Sequence, residues 1–221
     1  IGFEDPRREA GELLFPERFP ESVIVEAKTD LGPYGYSGQH DQDPAPIGGA
    51  LIKAHQIRYW YPHDTAPPKP VTVRTLDGVI ECAQDALPVV LGNHTQSWDL
   101  TFKNNPDNDL VSGQVWASRG ANAYLLDRIG ERMDFAETLD AVRAMTKKWP
   151  QATVKLVEDK ANGPALMSML RKEVGGLIAV NPDGGKEARV HAVVPFFASG
   201  NIYLPHPSLY PWVKDVVAQF V

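Results

Sequence analysis

A single cysteine, Cys82, stands among 221 residues, which excludes a disulfide framework within the chain and suits a reducing cytoplasm. No stretch approaches the ~20 consecutive apolar residues that a membrane-crossing helix needs. The stretch IGFEDPRREAGELLFPERF (1–19) is charged throughout, unlike a signal peptide or an acid-poor transit peptide. The nucleotide and metal signatures are missing as well. Gly184-Gly185-Lys186 is followed by Glu187 and has no upstream glycine at the spacing a phosphate-binding loop requires, no G-x-G-x-x-G follows a strand, and neither CxxC nor HExxH occurs. The 6 histidines (40, 55, 63, 94, 191 and 206) are scattered and none pairs at helical ligand spacing. Nucleophilic catalysis and a zinc centre are therefore poorly supported. A basic excess is lacking too: the formal net charge of −6 argues against binding polyanions by bulk attraction. It leaves local basic patches and metal-holding acids open.

What is present is an ordinary globular composition, 43% hydrophobic and 23% charged, in a chain long enough to bury a core without staples. Its 18 glycines and 19 prolines follow no period, so fibrous architectures are out. Composition changes near residue 70. Residues 1–70 are rich in Pro, Gly and polar residues, and within them residues 1–62 show one candidate helix around Glu21–Leu31. They read as a lead-in that packs on another module, and the breaker-rich HDTAPPKP (63–70) reads as a linker or exposed loop.

Beyond residue 70 the periodicities sharpen. VTVRT and VIECA flank an Asp-Gly pair, a hairpin signature. Residues 88–102 predict a strand ending near Asp99, VSGQVWA (111–117) a second and AYLLDRIGER (123–132) a third, all joined by short turns. FAETLDAVRAMTKKW (135–149) carries a helical stripe of Leu139, Val142, Met145 and Trp149, opened by a capping-box pair, Asp134 and Glu137. TVKLVED (153–159) is a strand, and residues 162–176 a helix framed by Pro164 and Gly175-Gly176. LIAVNP (177–182) is a further strand. KEARVHAVVPFF (186–197) predicts a helix ended or kinked by Pro195, NIYLP a short extended piece, and residues 209–221 the start of a last helix. Three hairpin-linked strands, then helix, strand, helix, strand, helix, predict a mixed five-stranded sheet flanked by helices, the order of the ribonuclease-H-like fold.

Chemistry is left to acids at strand ends. Asp99 follows Gln96-Ser97-Trp98, and Glu158-Asp159 closes Val154–Val157. In this topology the first and fourth strands are neighbours, which brings Asp99 near Glu158. Two carboxylates that close favour a cation between them, and with Mg²⁺ they suit metal-assisted displacement at phosphorus. The plain alternative is that each acid serves a turn or a helix cap. Asp109 reads as a loop acid and Asp127 as a solvated strand acid. Lys147-Lys148 and Arg171-Lys172 suit helix C-termini. Lys160, Lys186 and Arg189 follow strand ends on the side of Asp99 and Glu158, where they are candidates for DNA, although a solvated surface is the commoner role.

The strings EDPRREAGELLFPERF (4–19), GPYGYSGQHDQDPAP (32–46), QSWDLTFK (96–103), VEDKANG (157–163), NPDGGKEAR (181–189) and SGNIYLP (199–205) occur in one order. Together they resemble the large terminase subunit of tailed bacteriophages, in its C-terminal nuclease part with the lead-in before it. The resemblance implies a ribonuclease-H-like (RuvC-like) fold and a nuclease that cuts concatemeric viral DNA with Mg²⁺ or Mn²⁺ in a two-metal site. Asp99 matches the family's first-strand Asp. Glu158 matches the second-strand acid, five residues before Gly163 in an E-x-x-x-x-G pattern, and Asp159 is a register-shifted alternative metal ligand. The family's third carboxylate follows a helix that here begins near Leu209, so the expectation places it beyond Val221; Asp215 comes too early in that helix.

The same resemblance implies double-stranded DNA as partner, no membrane, and the cytoplasm of an infected bacterial host as location. In the full-length protein it implies an ATPase motor domain, absent here as the missing phosphate loop says, a small terminase subunit and a capsid portal. The expected organisation is a lead-in over 1–62 and a nuclease domain over 63–221 with its C-terminal end truncated. The rivals are another ribonuclease-H-like nuclease of resolvase or transposase type, and a non-catalytic module that docks a packaging motor.

Overall fold

In the computed structural model the described residues are 18, 20–25, 51–75, 78–100, 110–159, 163–181 and 184–219. Residues 21–25 are helical, and the remainder of the helix expected over Glu21–Leu31 lies outside the described residues. Ile1–Ala50 and Leu51–Val221 form separate compact units. The second is built on strands β1 (Arg58–Tyr61), β2 (Thr72–Thr75), β3 (Gly78–Glu81), β4 (Gln84–Ala86), β5 (His94–Asp99), β6 (Val111–Arg119), β7 (Asn122–Glu131), β8 (Val154–Glu158), β9 (Leu177–Val180) and β10 (Ile202–Pro205). Its α-helices are α1 (Phe135–Lys148), α2 (Gly163–Leu170), α3 (Lys186–Ala198) and α4 (Val213–Val217).

The main sheet has 8 strands in the order β4-β1-β10-β7-β6-β5-β8-β9. Within it, β7-β6-β5-β8-β9 is the expected arrangement: β5, β6 and β7 pair antiparallel, and β8 and β9 continue parallel to β5. The expected five strands are all there. The count is larger because β10, β1 and β4 add parallel strands beyond β7. β1 thereby draws residues 58–61 into the sheet, so the boundary expected at residue 62 falls inside the Leu51–Val221 unit. β2 and β3 form a separate antiparallel hairpin, as the Asp-Gly signal predicted, with its two turn residues outside the described set.

Alternation along the strands separates two cores. On one face Trp98, Val115, Val157 and Tyr124 bury against Leu139, Val142 and Met145 of α1 and Leu166, Met167 and Leu170 of α2. On the other, Tyr59, Leu125 and Leu204 pack with Phe197 of α3 and with Val213 and Val216 of α4. Apolar strand positions on both faces need cover, and helices supply it. The predicted capping box opens α1: the Glu137 N–H donates to Asp134 Oδ1 at 2.8 Å and the Asp134 N–H to Glu137 Oε2 at 2.8 Å. One helix differs from expectation, α2, which ends at Leu170, short of the glycine pair. The predicted helix over 186–197 is α3, which continues through Pro195 to Ala198. Among the described residues no helix is long and apolar enough to cross a membrane.

Candidate functional site

Strand β5 buries Gln96 and Trp98 and exposes Ser97 and Asp99. The period of two requires this, since successive side chains leave a strand on opposite faces. Gly113 sits opposite Trp98 on β6, and a Cβ there would run into the indole ring. The glycine thus lets Trp98 lie flat in the α1/α2 core, which commits Asp99 to the other face. Gln96 supports the ring, accepting the Trp98 Nε1–H at 3.1 Å.

Strand β8 runs parallel to β5 with Gln96 beside Lys155 and Trp98 beside Val157. One step further along that register Asp99 meets Glu158. Adjacent strands are about 4.8 Å apart, so the two carboxylates rise from neighbouring strand ends on the same face. Asp99 is exposed and Glu158 half-buried. Each already interacts within the chain. The start of α2 lies close against the end of β8: a Cβ at Gly163, the buried first residue of α2, would strike the Glu158 carbonyl oxygen. A glycine five residues after Glu158 is what lets α2 start directly behind that strand end.

Asp159 is exposed, and its N–H donates to the Val180 carbonyl at 2.7 Å, one further rung of the β8–β9 ladder. Strand alternation turns its side chain from the face shared by Asp99 and Glu158. Lys155, also on that opposite face, is 4% exposed and donates from Nζ to the Ala152 carbonyl at 2.7 Å; burial lowers its pKa.

The other sequence candidates separate. Lys160 and Asp109 lie outside the described residues. Lys186 opens α3, which follows the C-terminal end of β9, and Arg189 is exposed one turn along the same helix. Asp127 is not a solvated acid. Its side chain is 14% exposed and pairs with Lys148 at 2.6 Å, while the Trp149 Nε1–H donates to it at 2.7 Å. It ties β7 to the end of α1. Asp215 lies in α4, away from the β5 and β8 ends in sequence and element.

The register extended by one residue sets Asp99 beside Glu158, and among the described residues no group of three or more His, Cys, Asp or Glu comes together. Two carboxylates are hard, anionic oxygen donors of the kind that Mg²⁺ and Mn²⁺ take, with water filling further positions. The donor set fits part of a divalent-metal shell.

On the β6 and β7 side of the pair the face is polar. Register aligns Gly130, Ser112 and Asp99 in one row and Arg128, Gln114 and Ser97 in the next. Gln114 is held by the Trp116 Nε1–H, which donates to its Oε1 at 2.8 Å. Sequence reading left Arg128 unmarked. An Arg two residues before a Gly inside a strand was the available signal, since both then share a face.

Residues 96–220 match the family described as the terminase RNaseH-like domain. No curated protein matches the chain. Among solved structures, it is similar to the g2p (large terminase) nuclease domain from bacteriophage SPP1 with bound Mn, at 15% identity over 57% of this chain and 68% of that one, with a TM-score of 0.41. It is similar to the large terminase from a thermophilic bacteriophage at 8% identity and a TM-score of 0.47, over 84% of this chain but 41% of that longer one. The large terminase nuclease from thermophilic phage G20c with bound zinc gives 10% identity and a TM-score of 0.44, over 76% of this chain and 88% of that one.

Proposed function

The chain belongs to the terminase family through its RNase H-like domain, and on that premise we propose that it is a metal-dependent DNA endonuclease that cuts concatemeric viral DNA during genome packaging. The observation that carries the reading is the convergence of Asp99 and Glu158 on one face at adjoining ends of β5 and β8, inside the matched segment.

Both acids would hold divalent cations, Mg²⁺ or Mn²⁺, with Glu158 preferred to Asp159 because of its face. A third carboxylate from outside the described residues would complete a two-metal set. Divalent cations bound there supply Lewis acidity at phosphorus and lower the pKa of water. The chain's own contribution is placement. Ladder pairing fixes the two carboxylates relative to each other, Trp98 anchors one strand end from behind, and Gly163 lets α2 buttress the other. Asp99 is exposed, where a backbone phosphate can reach it, and Lys160, Lys186 and Arg189 are the proposed contacts to neighbouring phosphates. Such contacts position DNA without reading its sequence.

In this reading residues 1–62 are a lead-in that follows an ATPase motor domain. The working assembly includes a small terminase subunit and a capsid portal in the cytoplasm of the infected host. Incubation of supercoiled plasmid with the protein tests the proposal. Nicking and linearisation in Mn²⁺, abolished by chelator, is the expected result. An intact plasmid at saturating Mn²⁺ favours the non-catalytic docking module instead.

A further inference from the structure

We propose that Arg128 is a DNA-binding residue of this site, gripping a backbone phosphate next to the one that lies over Asp99 and Glu158. The inference rests on the nuclease reading and adds to it a residue that the strand-end lysines and Arg189 do not include.

Three observations carry it. The first is the face. Arg128 pairs with Gln114, which pairs with Ser97, and Gly130 pairs with Ser112, which pairs with Asp99. Partners across a ladder point to the same side, so Arg128 emerges on the face of the two acids. Its neighbour Asp127 emerges on the opposite face, where Lys148 and Trp149 engage it.

The second is direction. A Cβ built on Gly130 would sit 2.7 Å from Arg128 Nη2, 2.8 Å from Cζ and 3.1 Å from Nε. The guanidinium therefore lies flat over Gly130, folded along its own strand into the row that contains Ser112 and Asp99. Only a residue without a side chain leaves that space. Gly130 is two strands from Asp99, a lateral separation of about 10 Å. That is too far to touch the same phosphate as the acids and suits a flanking one.

The third is charge. Arg143 is paired with Asp140 and Glu173, and Arg58 donates to Tyr203. The Arg128 side chain, half-buried, has no ion pair or hydrogen bond among the described residues. A guanidinium held flat and partly desolvated without a counter-charge favours an anion that accepts its paired N–H groups bidentately, and the two non-bridging oxygens of a backbone phosphate do so.

The test combines binding and cleavage in Arg128→Ala, Arg128→Lys and Gly130→Ala. Binding of a short duplex is followed against salt with Ca²⁺ present, and cleavage with Mn²⁺. For Arg128→Ala the salt slope is expected to fall by roughly one phosphate contact. KM should rise about tenfold while kcat stays within about twofold, as loss of uniform binding predicts, and Mn²⁺ affinity should be unchanged. Arg128→Lys should recover part of the slope, and Gly130→Ala, which evicts the guanidinium, should resemble Arg128→Ala. An unchanged slope and KM in both Arg128 variants overturns the inference. So does a loss confined to kcat or to Mn²⁺ affinity, which would assign Arg128 to the acids. A wild-type chain that binds duplex without cutting it sinks the nuclease reading alone, and the slope of Arg128→Ala still decides this one. A wild type that does not bind duplex overturns both.

Discussion

Asp99 and Glu158 owe their shared face to a parallel pairing in which Trp98 lies beside Val157, so each is one residue past a buried anchor. Their removal deletes charge and little packing. Asp99→Asn and Glu158→Gln are each expected to lower plasmid cleavage by more than about 100-fold, the scale of losing an essential metal-holding or catalytic group. Their unfolding free energies from denaturant titration should stay within about 1 kcal/mol of wild type. Asp159→Asn, on the other face, should lose much less. The opposite ranking of Glu158→Gln and Asp159→Asn would move the ligand one residue. His206 gives a pH dependence of a different kind. It is 3% exposed, its Nδ1 accepts the Ser208 N–H at 3.2 Å, and its ring meets Tyr59 edge-on at 5.7 Å. Burial pushes its pKa below the ordinary 6.5, against a smaller opposing contact from the Lys69 backbone. The unfolded chain therefore takes up a proton that the folded one refuses, and stability is lost as pH falls through the window just below 6.5. Urea midpoints at pH 7.5 and 5.5 should drop less in His206→Gln than in wild type. Equal drops would show that His206 does not report this window.

The elements were unequally legible. β5, β6, β7 and α1 announce themselves by alternation, short turns and a capping box, because each signal is local in sequence. So was the approach of Asp99 to Glu158, since strand order follows from a run of hairpins and crossovers. β1, β4 and β10 were not legible as sheet strands. Each is only 3 or 4 residues long, too short for a period to declare itself, and each gains its partner from a distant segment. β10 pairs with β7 from the far end of the chain, and β1 joins β10 across more than half its length. Arg128 escaped for a related reason, as its role depends on a face that only cross-strand register defines. Gly163 carries the element-scale prediction. Gly163→Ala forces a methyl onto the Glu158 carbonyl, so α2 must shift or β8 must yield at its last residue. A loss of about 1–3 kcal/mol is expected, as for other overpacked positions, together with weaker cleavage because Glu158 moves. Chemical denaturation and plasmid cleavage on one preparation check both, and a variant with native stability and activity would mean that the turn absorbs the methyl.

At the scale of the whole molecule, a sheet clad by helices on both faces holds an open acidic rim at the C-terminal ends of β5 and β8. The formal charge of −6 leaves DNA attraction to local cations, so duplex binding should weaken steeply with salt. It also bears on metal. Two dications about 4 Å apart repel strongly and need more anionic oxygen than two carboxylates supply. Asp99 and Glu158 by themselves should therefore hold one Mn²⁺, weakly. Anomalous scattering from Mn²⁺-soaked crystals of the protein tests that claim most directly. A single peak between the Asp99 and Glu158 carboxylates, absent from Asp99→Asn crystals, is the predicted result; Mn²⁺ bound only elsewhere, with that position empty at saturating metal, would contradict it.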